Sequence, residues 1–262
     1  MRFYNDSGLD SEIHAKFYDN FEEGTWENSD ILLCGTEELK NIPKNNIRYY
    51  VCNMTNTDHI TVPPGVKMIN LQGSDLYWVR STAEHTMFLI LSLVKKKYRG
   101  REYGKVLAGK SLGIIGYGRV GKQVEAIAEA FDMDVHVVDH PRLDDEYRVH
   151  RNFVLGSDFI SIHASVGPNG GPIFGDSELN LVKDGAYIIN TARPCLVDEV
   201  AIIKHSYRLG GYASDFEVNN ALRFNSKVIF TEHTGGWTLE DLKRTSEICF
   251  NKLMEDINDI NA

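Results

Sequence analysis

The chain has 262 residues, 42% hydrophobic and 25% charged, and a formal net charge of −9. That length outgrows one small core and suits two modest domains, with the composition of an ordered globular protein rather than a disordered one. The acidic balance argues against nucleic acid or an anionic membrane surface as the main partner.

The four cysteines, Cys34, Cys52, Cys195 and Cys249, lack the paired spacing of a zinc site or a disulfide framework. A reducing cytoplasm and no bound metal are the expectation. Met1 is followed by polar residues, and apolar runs such as Met87 to Val94 are too short to span a bilayer. No membrane partner is expected.

In chain order, apolar runs from Ile31 to Cys34, Arg48 to Cys52 and Lys67 to Asn70 predict the strands of a small α/β unit. Residues 77–99 then read as a long helix, because Ala83, Met87, Ile90, Leu91 and Val94 recur at helical spacing. This helix is also a candidate dimer contact. The basic run from Lys95 to Arg101 follows it, where cations suit the end of the helix dipole.

Next comes the most informative segment, an apolar strand around Leu112, Ile114 and Ile115 running into Gly116-Tyr117-Gly118-Arg119-Val120-Gly121. This Gly-x-Gly-x-x-Gly turn opens a helix whose Val120, Val124, Ile127 and Phe131 share one face. Gly116 allows a tight turn, Gly118 lets the backbone approach a pyrophosphate, and Gly121 lets helix and strand pack closely. The amides at the helix start then face the phosphates. The following strand, Val135 to Asp139, ends on an acid where a ribose-binding carboxylate belongs. Its charge would repel the 2′-phosphate of NADP, so NAD is favoured over NADP, with Arg142 the one nearby feature that points the other way.

Further strands are predicted at residues 159–163, 186–190, 211–215 and 228–231, with helix-compatible stretches between most of them. Alternating strands and helices predict an α/β fold with a doubly wound parallel sheet. Asp139, His163, Asn190 with Arg193, Asp215 and His233 each lie at or just past a predicted strand's carboxyl end. Those ends line the ligand crevice of an open parallel sheet, which makes a redox site beside a dinucleotide the leading reading. Moving a hydride to a carbonyl carbon needs a proton donor, nearby positive charge and fixed orientation. His233 can supply the proton, Arg193 can grip a carboxylate and polarise the carbonyl, and Asp215 can accept a hydrogen bond from the nicotinamide carboxamide.

The chain resembles the D-2-hydroxyacid dehydrogenases, which include phosphoglycerate, glycerate and D-lactate dehydrogenases and glyoxylate or hydroxypyruvate reductases. The resemblance is collinear. It runs through Thr55 to Ile60, Ser81 to Glu84, the glycine turn, Ser157 to His163, Ile189 to Glu199 and Thr231 to Trp237. It implies an NAD-dependent oxidoreductase acting on a small 2-ketoacid or D-2-hydroxyacid, with Arg193 binding substrate and His233 as acid/base. A Rossmann nucleotide domain, residues 77–234, would be inserted into a flavodoxin-like substrate domain of residues 1–76 plus 235–262. The resemblance adds Thr82, Tyr117, Arg119, Val120, His140, His163, Ala164, Thr191, Ala192, His233 and Gly235 to the cofactor set. It adds Met54, Thr55, Asn56 and Thr57 to the substrate set.

Three positions depart from the family pattern. The family carries a Glu a few residues after the Asp-x-Phe strand end to pair with the catalytic His, whereas this chain reads Asp215-Phe-Glu-Val-Asn-Asn220. Alignment puts Asn219 at that position, with Asn220 as the second choice and Glu217 as a fallback partner. An amide orients an imidazole without stabilising its charged form, so ketoacid reduction is expected to fall off at lower pH than usual, and Asn219→Glu to extend it. Asn56 replaces a common Gly in the carboxylate-binding turn, and Pro194 follows Arg193 where Gly is common. The competing function is an NAD(H)-binding sensor with weak or no catalysis, motivated by the missing Glu. Formate oxidation is a third, since formate dehydrogenases of this superfamily also carry an amide there.

Overall fold

Short runs of aliphatic and aromatic residues assemble two parallel sheets in the computed structural model, which is described for residues 1–35, 47–54, 57, 60–95, 104–139, 151–167 and 170–261. The chain divides into two compact units, Met1–Val79 with Trp237–Ala262, and Arg80–Gly236. The sequence reading divides it after residues 76 and 234.

The first unit holds β1 (Arg2–Asp6), α1 (Ala15–Asn20), β2 (Glu22–Glu23), β3 (Ile31–Cys34), β4 (Tyr49–Cys52) and β5 (Lys67–Asn70). Its strand order, β2-β1-β3-β4-β5, is that of flavodoxin-like sheets. β3 and β4 are buried on both faces, so alternate residues feed different cores. Ile31, Leu33, Tyr49 and Val51 pack with Phe3, Phe17, Phe250 and Leu253, while Leu32, Cys34, Tyr50 and Cys52 pack on the other side. Within this unit, His14 is buried between two serine hydroxyls, with Nε2 2.9 Å from Ser7 Oγ and Nδ1 2.7 Å from Ser246 Oγ. Burial pushes its pKa down to about 4.

The second unit contains α2 (Ser81–Val94), β6 (Ser111–Ile115), α3 (Arg119–Ala130), β7 (Asp134–Val138), β8 (Phe159–Ile162) and α4 (Asp176–Leu179). β9 (Tyr187–Asn190), α5 (Glu199–His205), β10 (Gly211–Ser214), α6 (Asn220–Arg223) and β11 (Val228–Phe230) complete it. All its strand pairs are parallel, in the order β11-β10-β9-β8-β6-β7, the doubly wound arrangement. The order reverses at β6, so the switch point lies between the carboxyl ends of β6 and β8. One face packs Ala83, Met87 and Ile90 of α2 and Val124 of α3 on Leu112 and Ile189; the other gathers Ile160, Ile162, Ile188 and Tyr212.

The helix expected over 77–99 is shorter. Turn bonds from the amides of Tyr77 to Ser74 and of Val79 to Leu76 occupy the backbone ahead of it, so α2 begins at Ser81. It ends at Val94 with Lys95 as its cap, and Lys96 to Arg101 lie outside the described residues. Among the described residues, no helix is long and apolar enough to cross a membrane.

Candidate active site

The glycine turn is fixed to both neighbouring strands at the switch point. The Gly116 amide donates to Val138 O at 2.8 Å, and the His163 amide donates to Ile115 O at 2.7 Å. Gly116 adopts φ +97°, and a Cβ there would lie 2.4 Å from the Ala164 nitrogen. A Cβ on Gly121 would lie 2.3 Å from Gly116 O, so the strand and α3 approach through two glycines. Gly118 differs: it is exposed, and a Cβ there would meet nothing within 4 Å. Open space above the start of a 12-residue helix is what a pyrophosphate requires.

Asp139 stands one residue past β7, and its Oδ1 accepts the Tyr117 amide at 2.7 Å. Among the described residues its other carboxylate oxygen has no hydrogen-bond donor, which suits it to a ribose hydroxyl. Val120 packs against the core, and Tyr117 is held by its hydroxyl on Glu125 and by Lys122 Nζ, 5.4 Å from its ring centroid. The residues present therefore fit a dinucleotide. His140 and Arg142 lie outside the described residues.

A chain of hydroxyls crosses the neighbouring strand ends. Thr86 Oγ1 donates to Thr82 O at 2.8 Å, so it accepts from Thr191 Oγ1, also at 2.8 Å. Thr191 Oγ1 then accepts from His163 Nδ1 at 3.4 Å, and Ser161 Oγ donates to His163 Nε2 at 2.6 Å. These directions require a neutral His163, and burial pushes its pKa down to about 3.

Arg193 follows β9 in an extended conformation, φ −149° and ψ 144°, the region that Pro194 imposes on its predecessor. The fully buried Asn190 closes the turn beneath it. Its Nδ2 donates to Arg193 O at 2.9 Å and its Oδ1 accepts the Ala192 amide at 3.1 Å. Arg193 Nη1 donates to Ala192 O at 2.6 Å, and among the described residues no carboxylate pairs with the guanidinium.

His233 lies beyond β11 at φ +56°, a left-handed conformation uncommon outside glycine, with its ring centroid 4.8 Å from that of Phe216. Burial lowers its pKa, the Asp215 carboxylate opposes that shift, and the Arg193 guanidinium reinforces it. Asp215 is 2% exposed. Its Oδ1 accepts from Thr231 Oγ1 at 2.7 Å and the Thr234 amide at 2.9 Å, and its Oδ2 accepts the Gly235 amide at 2.9 Å. His85 Nε2 stands 3.3 Å from Oδ1. Burial would raise the Asp215 pKa, yet the hydrogen bonds from His85, Thr231 and Gly235 hold it below the ordinary value.

The structure thus gathers Arg193, His233, Asp215 and Gly235 at neighbouring strand ends. It does not bring Asn219 to His233. The Asn219 side chain caps α6, accepting the Ala221 amide at 3.0 Å, while its own amide donates to Glu199 at 2.6 Å. Glu217 is also turned away, pairing with Arg223 at 2.7 Å. In the other unit, Met54 packs with Leu9, Ile13 and Leu242, and Thr57 O accepts the Ile60 amide at 3.0 Å. Thr55 and Asn56 lie outside the described residues. Sequence reasoning missed His85, Thr231 and Thr234, whose partner Asp215 is far away in the chain. Among the described residues, no group of three His, Cys, Asp or Glu could hold a metal.

Residues 78–235 match the family model described as D-isomer specific 2-hydroxyacid dehydrogenase, NAD binding domain. The chain is 28% identical over 207 residues to a 2-hydroxyacid dehydrogenase-like protein of Staphylococcus haemolyticus, covering 68% of this chain and 65% of that relative. It therefore spans less than two thirds of that relative's length. It is 28% identical over 243 residues to 4-methyl-2-oxopentanoate reductase A of Aspergillus oryzae, covering 83% and 74% of the two chains. The fold is similar to D-lactate dehydrogenase from Aquifex aeolicus, complexed with NAD and lactic acid, with TM-score 0.76 and 19% identity over 99% of this chain and 96% of that one.

Proposed function

The chain belongs to the D-isomer specific 2-hydroxyacid dehydrogenase family, with an NAD-binding domain, and we propose that it interconverts a small 2-ketoacid and its D-2-hydroxyacid. Glyoxylate and hydroxypyruvate are the substrates of first choice, and a branched 2-ketoacid enters through the Aspergillus relative's name. The observation that carries the reading is the pairing of an Arg193 with no carboxylate partner among the described residues and a His233 whose proton affinity both Arg193 and Asp215 influence.

When bound, NADH supplies the hydride. Arg193 grips the substrate carboxylate and polarises the adjacent carbonyl. His233 delivers a proton to the carbonyl oxygen as negative charge develops there, and takes it back in the oxidative direction. Phe216 supports the His233 ring, and Asn190 holds the backbone from which Arg193 projects. The remaining unit, built on residues 1–79 and 237–262, is assigned as the substrate lobe, and the assembly as a homodimer.

The test follows NADH oxidation with glyoxylate, hydroxypyruvate, pyruvate and 4-methyl-2-oxopentanoate at several pH values. Turnover abolished by His233→Ala with NADH binding retained is the expected result. Tight NADH binding without turnover of any ketoacid would overturn it in favour of a sensor.

A further inference from the structure

We infer that His85 is a positioning residue for His233: from α2 it fixes the carboxylate of Asp215, which in turn holds and faces the loop that carries His233. The inference rests on the reading of His233 as the acid/base. Thr231 has one hydroxyl proton, and the 2.7 Å contact commits it to Asp215 Oδ1. The 3.0 Å contact between Thr231 Oγ1 and His85 Nε2 therefore makes His85 the donor, its N–H shared between Thr231 Oγ1 and Asp215 Oδ1. The imidazole is seated against the Phe88 ring, with centroids 5.6 Å apart.

The clamp acts on a strained segment. His233 is flanked by residues bonded to Asp215 on both sides, Thr231 before it and Thr234 and Gly235 after it. A positive φ at a histidine costs free energy and persists only where its surroundings hold it. A Cβ on Gly235 would lie 2.5 Å from Asp215 Oδ2 and 3.0 Å from His85 Cδ2, so the loop lies directly against both side chains. The charged groups that act on His233 are Asp215, at the end of β10, and Arg193, beyond β9. His85 acts on the first of these from a third element. Asn219 and Glu217, the partners considered from sequence, engage Ala221 and Arg223 instead.

The experiment compares His85→Ala and His85→Gln in the full-length chain by two readouts. One is ketoacid reduction; the other is the NMR titration of the His233 imidazole without substrate. His85→Ala is expected to lower kcat about tenfold and leave the NADH KM within about twofold, with His85→Gln, whose amide can donate, restoring most of the rate. The His233 midpoint is expected to move by about half a pH unit or more in His85→Ala. An unmoved midpoint, whether the rate holds or falls equally in both variants, overturns the inference and leaves His85 a structural residue. If His85→Ala fails to fold, His85→Leu keeps the bulk without the donor and takes the same two measurements. A wild type without turnover whose His233 midpoint still responds to position 85 would overturn the proposed function but not the coupling.

Discussion

The Tyr117 amide and the Asp139 carboxylate are joined by a 2.7 Å hydrogen bond that ties the glycine turn to the end of β7. The two residues proposed to flank the adenosine of the cofactor are thereby tied to each other. Asp139→Ala is expected to raise the NAD KM about tenfold and to narrow the preference over NADP, because it removes a hydroxyl acceptor and the repulsion of a 2′-phosphate. Steady-state kinetics with both cofactors measure this; an unchanged ratio of kcat/KM would remove Asp139 from the specificity argument.

The two glycines at the start of α3 predict opposite phenotypes. Gly121→Ala forces a Cβ to within 2.3 Å of Gly116 O, a backbone atom, so it is expected to destabilise the fold by about 2 kcal/mol. Gly118→Ala meets nothing within 4 Å and is expected to leave thermal stability nearly unchanged while weakening NADH binding. Melting temperature and fluorescence titration of NADH separate the two effects. NADH affinity unaffected in Gly118→Ala would place the pyrophosphate elsewhere.

In the proposed mechanism ketoacid reduction needs the protonated form of His233, whose pKa burial and Arg193 hold below the usual histidine value. The rate is therefore expected to fall as pH rises through a midpoint below 6.5, and the oxidative direction to show the reverse. Asp215→Asn removes the charge that opposes the shift and is expected to move the midpoint further down. A pH–rate profile that keeps its midpoint in that variant would show that another group sets it.

Asn219→Glu, which the sequence reading expects to extend the active range upward, has a different prospect. The side chain at 219 caps α6 rather than facing His233. Asn219→Ala is expected to cost about 1 kcal/mol of stability and leave the pH profile in place. Urea unfolding and the pH–rate profile check the two halves, and a moved profile would bring Asn219 back as a partner of His233.

His14 gives the first unit a pH dependence of its own. Its folded pKa, pushed down to about 4 by burial, lies below the unfolded value of 6.5. The unfolded chain therefore binds the extra proton first, and the contribution is full above pH 6.5 and lost as pH falls towards 4. The loss amounts to about 3 kcal/mol at most. His14→Gln is expected to flatten the stability profile across that window in urea titrations at pH 7, 6 and 5. His163 adds a similar dependence in the second unit, where burial holds its pKa at about 3.

The sequence by itself determined what depends on short-range pattern. Runs such as residues 159–162 and 187–190 are mostly apolar and buried on both faces, which marks central parallel strands, and Gly116 and Gly121 report a backbone approach that other residues resist. β1 escaped notice because Arg2–Asp6 is mostly polar and half-exposed; it is a strand because β2 and β3 pair with it. The start of α2 escaped because helical spacing continues through residues whose backbone is already committed to turns. At the site, spacing alone aimed Asn219 at His233, yet the nearby Ala221 amide satisfies that side chain at little entropic cost. Only the tertiary structure decided the surroundings of His233. The His85–Thr231 contact joins residues 146 positions apart, and no local pattern encodes which carboxylate a folded sheet will bring beside a helix. Burial, hydrogen-bond direction and the two opposing charges on His233 exist only once the strand ends have met.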